Sequence, residues 1–332
     1  MFRGLCGRRW RSIGCRGCGG RRWEVRACWR WGRAGSDEAV GMEDCVHLGS
    51  NTKAMTAVLV GQLIAEGKVG MGTTMGEIFA ERRWRIHDGV VEATVAEVMW
   101  HRAGLVGNLR WGDYARAEVG LREQRERAVE EALMGAPAAG RGERGVYFYS
   151  NAGYVVLGAV VEKLRGAAWE EVVRERLFRP LGMDSAGFGA LGRREGEAWG
   201  HGVEGGEVIA RAVDNPAVMR PAGGVHCSMT DWGKFVAMFL RGEEAGVMTR
   251  EMCAMLLTPP PGMPGKAYAG GWIAAKRARG GRAYTHAGSN TMWFSVAWTW
   301  PEKGLAVLAA ANCGGEEARQ ACEEVCAGLR EG

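Results

Sequence analysis

Apolar residues fall into a helical period shortly after Ser50. Met55, Leu59 and Leu63 stand four apart, flanked by Val58, Val60 and Ile64, and Gly67 supplies the stop. Because apolar side chains occur on most sides of this segment, it predicts a deeply buried helix rather than a surface one. Residues 70–230 then read as helices and loops with few strands. Helices are expected over Glu92–Trp100, Arg125–Leu133 and Ala152–Leu164, the last with Tyr154, Leu157, Val161 and Leu164 on one face and Gly166 behind it. Asp231–Leu240 continues the series, with Ser228 and Thr230 as candidate caps.

The last hundred residues change period. Tyr268–Ala275 and Ala283–His286 read as strands paired across Gly280-Gly281. Met292–Trp300 and Leu305–Ala311 flank Pro301-Glu302-Lys303-Gly304 as a hairpin, and Glu316–Leu329 closes the chain as a helix. Runs of helices followed by runs of strands make an α+β domain. The expected architecture is an antiparallel sheet flanked by helices with a helical insertion. It covers 35–329, with the insertion at roughly 75–230 and the sheet part at 35–74 plus 231–329. No repeat of 20–50 residues is visible.

Composition adds one anomaly. The chain has 332 residues, 47% apolar and 24% charged, which suits a globular domain. Its longest apolar runs, Val155–Val161 and Leu305–Ala311, fall far short of the ~20 residues a membrane helix needs, so no membrane span is expected. Residues 1–34, however, hold ten Arg, seven Gly, four Cys and four Trp with a single Glu. That tip carries +9 of a net +5, leaving the remaining 298 residues at −4 and giving no argument for nucleic-acid binding by the body.

No apolar period of 2 or 3.6 is read through the tip, and no signal-peptide apolar stretch either, so the compartment stays open. Three readings compete. One is a nucleic-acid or membrane-binding arm, and one a zinc site at Cys15 and Cys18 with Cys6 or Cys28 nearby. The reading preferred here is a disordered tail or a misplaced start in GC-rich coding sequence, consistent with 36 Arg against 7 Lys. Cys45, Cys227, Cys253, Cys313, Cys322 and Cys326 show no metal spacing, and Cys322 with Cys326 reads as a helix core face. No metal and no cofactor is expected.

The chemistry centres on His47-Leu48-Gly49-Ser50-Asn51-Thr52-Lys53 at the start of the buried helix. Ser50 and Lys53, three apart, share a helix face. A serine hydroxyl becomes a nucleophile when a neighbouring base takes its proton, and a lysine can be that base once its pKa falls from ~10.4. The spacing alone is weak: chance supplies it in roughly one chain in six of this composition. Two further segments strengthen it. Phe148-Tyr149-Ser150-Asn151 offers a phenol and an amide two residues apart, and Thr285-His286-Ala287-Gly288-Ser289 offers a glycine at a strand edge where substrate can approach.

In that order, Ser-Xaa-Xaa-Lys, Tyr-Xaa-Asn and His-Xaa-Gly, the chain resembles the serine β-lactamase and penicillin-binding-protein-like hydrolases, especially the class C β-lactamase and esterase branch. Trp100-His101-Arg102-Ala103-Gly104-Leu105, Tyr149–Gly166 and Pro221-Ala222-Gly223-Gly224 share the likeness, which covers roughly Gly35–Leu329. The resemblance implies that Ser50 is acylated and that Lys53 and Tyr149 handle its proton. It implies that Asn151 positions the substrate amide or Lys53, that Gly288 gives room, and that the N–H groups of Ser50 and Ser289 form the oxyanion hole. Substrates would be small molecules or short peptides carrying an ester, amide or β-lactam bond.

Two departures qualify the likeness. The family's usual Lys-Thr-Gly is His286-Ala287-Gly288 here, so an imidazole titrating near neutrality stands where a permanent cation would grip a carboxylate. Also, only Cys28–Gly41 reads as strand ahead of the nucleophile helix, so the sheet is expected to lack an edge. The competing reading is therefore a non-catalytic or truncated relative. His101, His201 and His226 read as structural, and Trp293, Trp298 and Trp300 as strand packing, with Trp293 a candidate pocket wall.

Overall fold

The computed structural model describes residues 11–16, 22–30, 40–82, 86–116, 118–135, 143–193, 197–263, 266–276 and 281–331. A seven-stranded sheet forms one layer. Its order is Arg11–Arg16, Arg22–Arg30, Leu305–Ala311, Phe294–Trp300, Arg282–Ser289, Ile273–Lys276, Ala267–Tyr268. Pairing is antiparallel except between Leu305–Ala311 and Arg22–Arg30, which run parallel. The expected α+β architecture, a largely antiparallel sheet flanked by helices, is thus present.

Every residue of the central strand Phe294–Trp300 is buried, because both faces of the sheet are covered. On one side Val296 and Trp298 meet Ala318, Cys322 and Cys326 of the closing helix Glu316–Glu331. On the other lies the main core, built around the helix Thr52–Ala65. Met55, Val58, Leu59, Val60 and Leu63 of that helix are 0–1% exposed, which fits apolar residues on every side.

The insertion contains the helices Leu121–Met134 and Asn151–Arg165, with a short hairpin at Gly200–Glu204 and Glu207–Arg211. A three-stranded sheet of Cys45–His47, Val225–Ser228 and Gly187–Phe188 ties its far end to the nucleophile segment. Arg125, fully buried, bonds Glu170 at 2.7 Å and also Glu162, clamping the Asn151–Arg165 helix to its neighbours. Among the described residues, no helix is long and apolar enough to cross a membrane.

Three sequence expectations need correction. The helix expected from Glu92 starts at Val95, because Thr94 and Glu97 form a reciprocal capping box. The tip contains two strands where none was read. Arg22–Arg30 pairs along Leu305–Ala311 from Leu305↔Glu24 to Ala311↔Arg30, so the sheet has the edge that seemed missing. The signal was present, since Trp23, Val25, Ala27 and Trp29 alternate with Glu24, Arg26 and Cys28, a period of 2 masked by the arginine bias. The strand expected over Cys28–Gly41 ends at Arg30, and residues 31–39 lie outside the described part, as do Cys6, Cys18 and Gly280.

Removing residues 1–30 would leave the outward-facing hydrogen-bonding groups of the apolar strand Leu305–Ala311 unpaired, while its other side stays bonded to Phe294–Trp300. The shortened protein is expected to melt about 5 °C or more below the parent and to aggregate in size-exclusion chromatography. An unchanged midpoint with a monodisperse peak would show that these strands do not complete the sheet.

Candidate active site

The chain reaches Ser50 through a 3-10 turn, Gly49–Asn51, at the head of the buried helix. Two glycines let this turn touch the sheet backbone to backbone. Gly49 has φ +49°, and a Cβ there would lie 2.3 Å from the Ser289 nitrogen. A Cβ on Gly288 would fall 2.0 Å from the Leu48 oxygen and 2.6 Å from the Ser50 nitrogen. The contact is pinned by Asn51, whose Nδ2 donates to Ser295 Oγ at 2.8 Å, while Ser295 Oγ donates to the Leu48 carbonyl at 2.9 Å.

Lys53 follows one turn later and is 0% exposed. Its Nζ stands 2.9 Å from Ser50 Oγ, 2.7 Å from Asn151 Oδ1 and 2.6 Å from the Ala222 carbonyl. It also lies 4.9 Å from the Tyr149 ring centre. Burial pushes its pKa well below the ordinary lysine value. Thr56, next along the same face, donates to the Pro221 carbonyl at 2.7 Å, so Pro221-Ala222 is held along the helix.

Asn151 opens the helix Asn151–Arg165, which Ser150 caps by accepting the Gly153 N–H at 2.8 Å. Its amide donates through Nδ2 to Asn108 Oδ1 at 2.8 Å, which turns Oδ1 toward Lys53. Tyr149 lies against the His101 ring, 4.4 Å between centres. Burial raises the Tyr149 phenol pKa, against a hydrogen bond with Ser50 that works the other way. His101 itself is buried at φ +59° and accepts the Ser150 N–H at 3.1 Å, a loop-holding arrangement.

The strand Arg282–Ser289 brings His286, Gly288 and Ser289 to the same place. His286 corrects one expectation. It is 4% exposed, and burial, with the nearby Lys53, lowers its pKa to about 3. Its Nδ1 faces the Ala287 carbonyl at 2.7 Å, which can only accept, so Nδ1 carries the hydrogen. Nε2 then accepts from the Tyr268 hydroxyl at 2.9 Å. The ring is a neutral, doubly bonded group rather than one titrating near pH 7. Ser289 is exposed, and its Oγ accepts the Thr291 N–H at 3.0 Å.

Sequence reasoning missed Asn108, Tyr268, and a pair formed by His47 and Asp214. Asn108 and Asp214 lie on loops distant in sequence, Tyr268 on the short strand Ala267–Tyr268, and His47, at the head of the Ser50 segment, gains its role only from Asp214, so no spacing signalled these partnerships. His201 and His226 hold backbone carbonyls, of Asn312 at 2.7 Å and Gly189 at 3.1 Å, in line with a structural role. Trp293 is 1% exposed, and a Cβ on Gly200 would strike its Nε1.

The family model for Beta-lactamase matches residues 18–325. The chain belongs to the Beta-lactamase family. Among curated relatives, Penicillin-binding protein 4 of Amycolatopsis lactamdurans is 28% identical over 45% of this chain, which spans 37% of that protein. Two solved structures share the fold. A class C β-lactamase from Rhodobacter sphaeroides has TM-score 0.72 at 16% identity, with 95% of this chain and 93% of the other covered. A D-stereospecific amidohydrolase from Streptomyces sp. has TM-score 0.67 at 21% identity, covering 92% and 91%. The Beta-lactamase match begins inside the tip, at residue 18, in agreement with the strand Arg22–Arg30 belonging to the domain.

Gly288→Ala tests the backbone contact. The added methyl must separate the Ser50 turn from the strand, and is expected to destabilise the protein by about 1–3 kcal/mol in denaturant titration and to abolish reaction at Ser50. A variant as stable and reactive as the parent would mean the contact is looser than described.

Proposed function

We propose that the protein is a serine hydrolase that forms a covalent acyl-enzyme on Ser50, with Lys53 as the base. The observation that carries this reading is the hydrogen-bond arithmetic of the buried amine. An uncharged amine has two N–H groups and one lone pair. Asn151 Oδ1 and the Ala222 carbonyl can only accept and take two N–H groups; Ser50 Oγ would accept the third N–H of an ammonium, but faces the lone pair once the amine is uncharged. Burial favours that uncharged form at neutral pH. Tyr149, whose pKa is raised, stays protonated and serves as a donor toward Ser50 or the leaving group rather than as the first base.

In the reaction the Ser50 proton passes to Lys53 Nζ as Oγ bonds to the substrate carbonyl carbon. The N–H groups of Ser50 and Ser289, brought together by the Gly49–Gly288 contact, receive the developing oxyanion. Collapse breaks the bond to the leaving group, which takes a proton from Lys53 or through Tyr149. Water then attacks the acyl-enzyme, giving its proton to the same amine and releasing acid and free Ser50. Asn151 holds Lys53, and Asn108 holds Asn151.

Substrate class follows from charge. Burial disfavours the charged forms of Lys53, His286 and Tyr149 alike, so these three groups are poorly suited to pairing with a carboxylate beside the reacting carbonyl. The site suits esters and amides, D-amino peptides among them, with an uncharged neighbour to the scissile bond. The Streptomyces neighbour, named an amidohydrolase, is consistent with that choice.

Incubation with an uncharged activated ester is expected to add one acyl group by intact mass, and Ser50→Ala to remain unmodified. A carboxylate-bearing penicillin is expected to acylate more slowly. An adduct of equal yield on Ser50→Ala would contradict the reading.

The pH profile has a definite sign. The reactive form of Lys53 is deprotonated, and burial extends that form to lower pH than an ordinary lysine allows. Acylation should therefore reach its plateau well before pH ~10.4 and fall as pH drops through the lowered pKa, with Lys53→Met losing about 10²–10⁴-fold. A rate that climbs tenfold per pH unit toward ~10.4 would assign the amine an ordinary lysine pKa.

A further inference from the structure

His47 is 1% exposed and stands three residues before Ser50, yet the mechanism above does not use it. Its two ring nitrogens have different jobs. Nδ1 accepts the Gly49 N–H at 3.1 Å, and Nε2 lies 2.7 Å from Asp214 Oδ1. An acceptor at Nδ1 and a carboxylate at Nε2 require the tautomer with hydrogen on Nε2. Asp214 is largely buried, and His47 is among the groups that hold its carboxyl below the usual carboxylate range despite burial. The same Oδ1 also accepts the Asn215 N–H at 2.7 Å, and Asn215 Nδ2 donates to the Gly223 carbonyl at 2.8 Å. Gly223 adjoins Ala222, whose carbonyl holds Lys53.

We propose that His47 and Asp214 are a positioning pair for the acylation of Ser50. Asp214 selects the His47 tautomer, and His47 Nδ1 then holds the Gly49 N–H, fixing the left-handed turn that presents Ser50 against Gly288 and Ser289. The opposite tautomer would set two N–H groups against each other at Gly49 and push the turn away from the strand. Neither residue touches Ser50 Oγ or Lys53 Nζ through a bond described above. The inference rests on the proposed acyl-enzyme chemistry and adds its geometric control. His226, the register partner of His47 across the small sheet, is engaged with the Gly189 carbonyl, and burial lowers its pKa.

The test separates the two nitrogens. In His47→Asn the amide oxygen can replace Nδ1 at Gly49 but cannot reach Asp214. In His47→Gln the amide nitrogen can reach Asp214 but leaves Gly49 without its acceptor. With the activated ester, His47→Gln and Asp214→Ala are expected to slow acylation about tenfold with KM nearly unchanged, and His47→Asn to retain most of the rate. Adding Asp214→Ala to His47→Asn is expected to cost far less than Asp214→Ala costs alone, because Asp214 acts on the Gly49 turn through the imidazole and only its separate bond to the Asn215 N–H remains to be lost.

Equal losses from Asp214→Ala in both backgrounds, or a folded His47→Gln that acylates at the parent rate, would overturn the pair. Should His47→Gln not fold, the Asp214→Ala cycle with His47→Asn decides alone. Ring nitrogen-15 spectra supply a readout independent of activity. The His47 signals are expected to report hydrogen on Nε2 in the parent and a shift toward Nδ1 in Asp214→Ala, and an unmoved tautomer would overturn the proposal. If instead Ser50→Ala is acylated like the parent, the acyl-enzyme reading fails while the spectra still judge the tautomer.

Discussion

The burial of one amine organises this molecule. Lys53 is sealed between the nucleophile turn, the Asn151 helix and the Pro221-Ala222 segment, and each supplies one oxygen to its nitrogen. An ammonium in that position would carry a heavy desolvation cost, whereas the neutral amine is satisfied by two acceptors and one hydroxyl. The fold therefore favours the protonation state that the proposed chemistry uses. Much of the surrounding structure holds those three oxygens within 3 Å of one atom. The buried Arg125 cluster braces the Asn151–Arg165 helix, Thr56 secures Pro221, and Asn108 orients the Asn151 amide.

A second constraint is the closeness of the turn to the sheet. Gly49 and Gly288 remove two side chains from a backbone contact between elements almost 240 residues apart in sequence. The contact places the Ser50 and Ser289 amides near one another, and Ser295 and Asn51 lock it laterally. The sheet must be rigid for this to persist, which is why its N-terminal strands matter to a site far from them. Covering both faces of Phe294–Trp300 and pairing Leu305–Ala311 on its outer side serve that rigidity.

The legible parts of the sequence were those with a local signature. Met55, Leu59 and Leu63 announced the buried helix, Ser228 its later counterpart's cap, and the strand pair 294–300 and 305–311 emerged from alternation and the Pro301–Gly304 turn. The Ser50, Lys53, Tyr149 and Asn151 constellation was visible as two ordered motifs. The geometry brings those four side chains together, and that convergence is what the proposed roles rest on. Interactions between elements remote in sequence were invisible, because Asn108 and Asp214 on their loops and Tyr268 on its edge strand owe their places to packing rather than to spacing. His286 was misjudged for the same reason: burial lowers its pKa and Tyr268 occupies its Nε2, and both arise only through the tertiary fold. In the tip, arginine bias hid the sequence alternation of a strand that pairs into the sheet.

The central claim is that Lys53 is uncharged in the folded protein at neutral pH, and side-chain NMR can observe this directly. With lysine labelled at Nζ and Cε and the signal assigned by its loss in Lys53→Met, a pH titration of the free protein reads the charge of that one amine. The account predicts a neutral amine at pH 7 that protonates only on the acid side. A Lys53 signal that remains that of an ammonium until about pH 10 would contradict it.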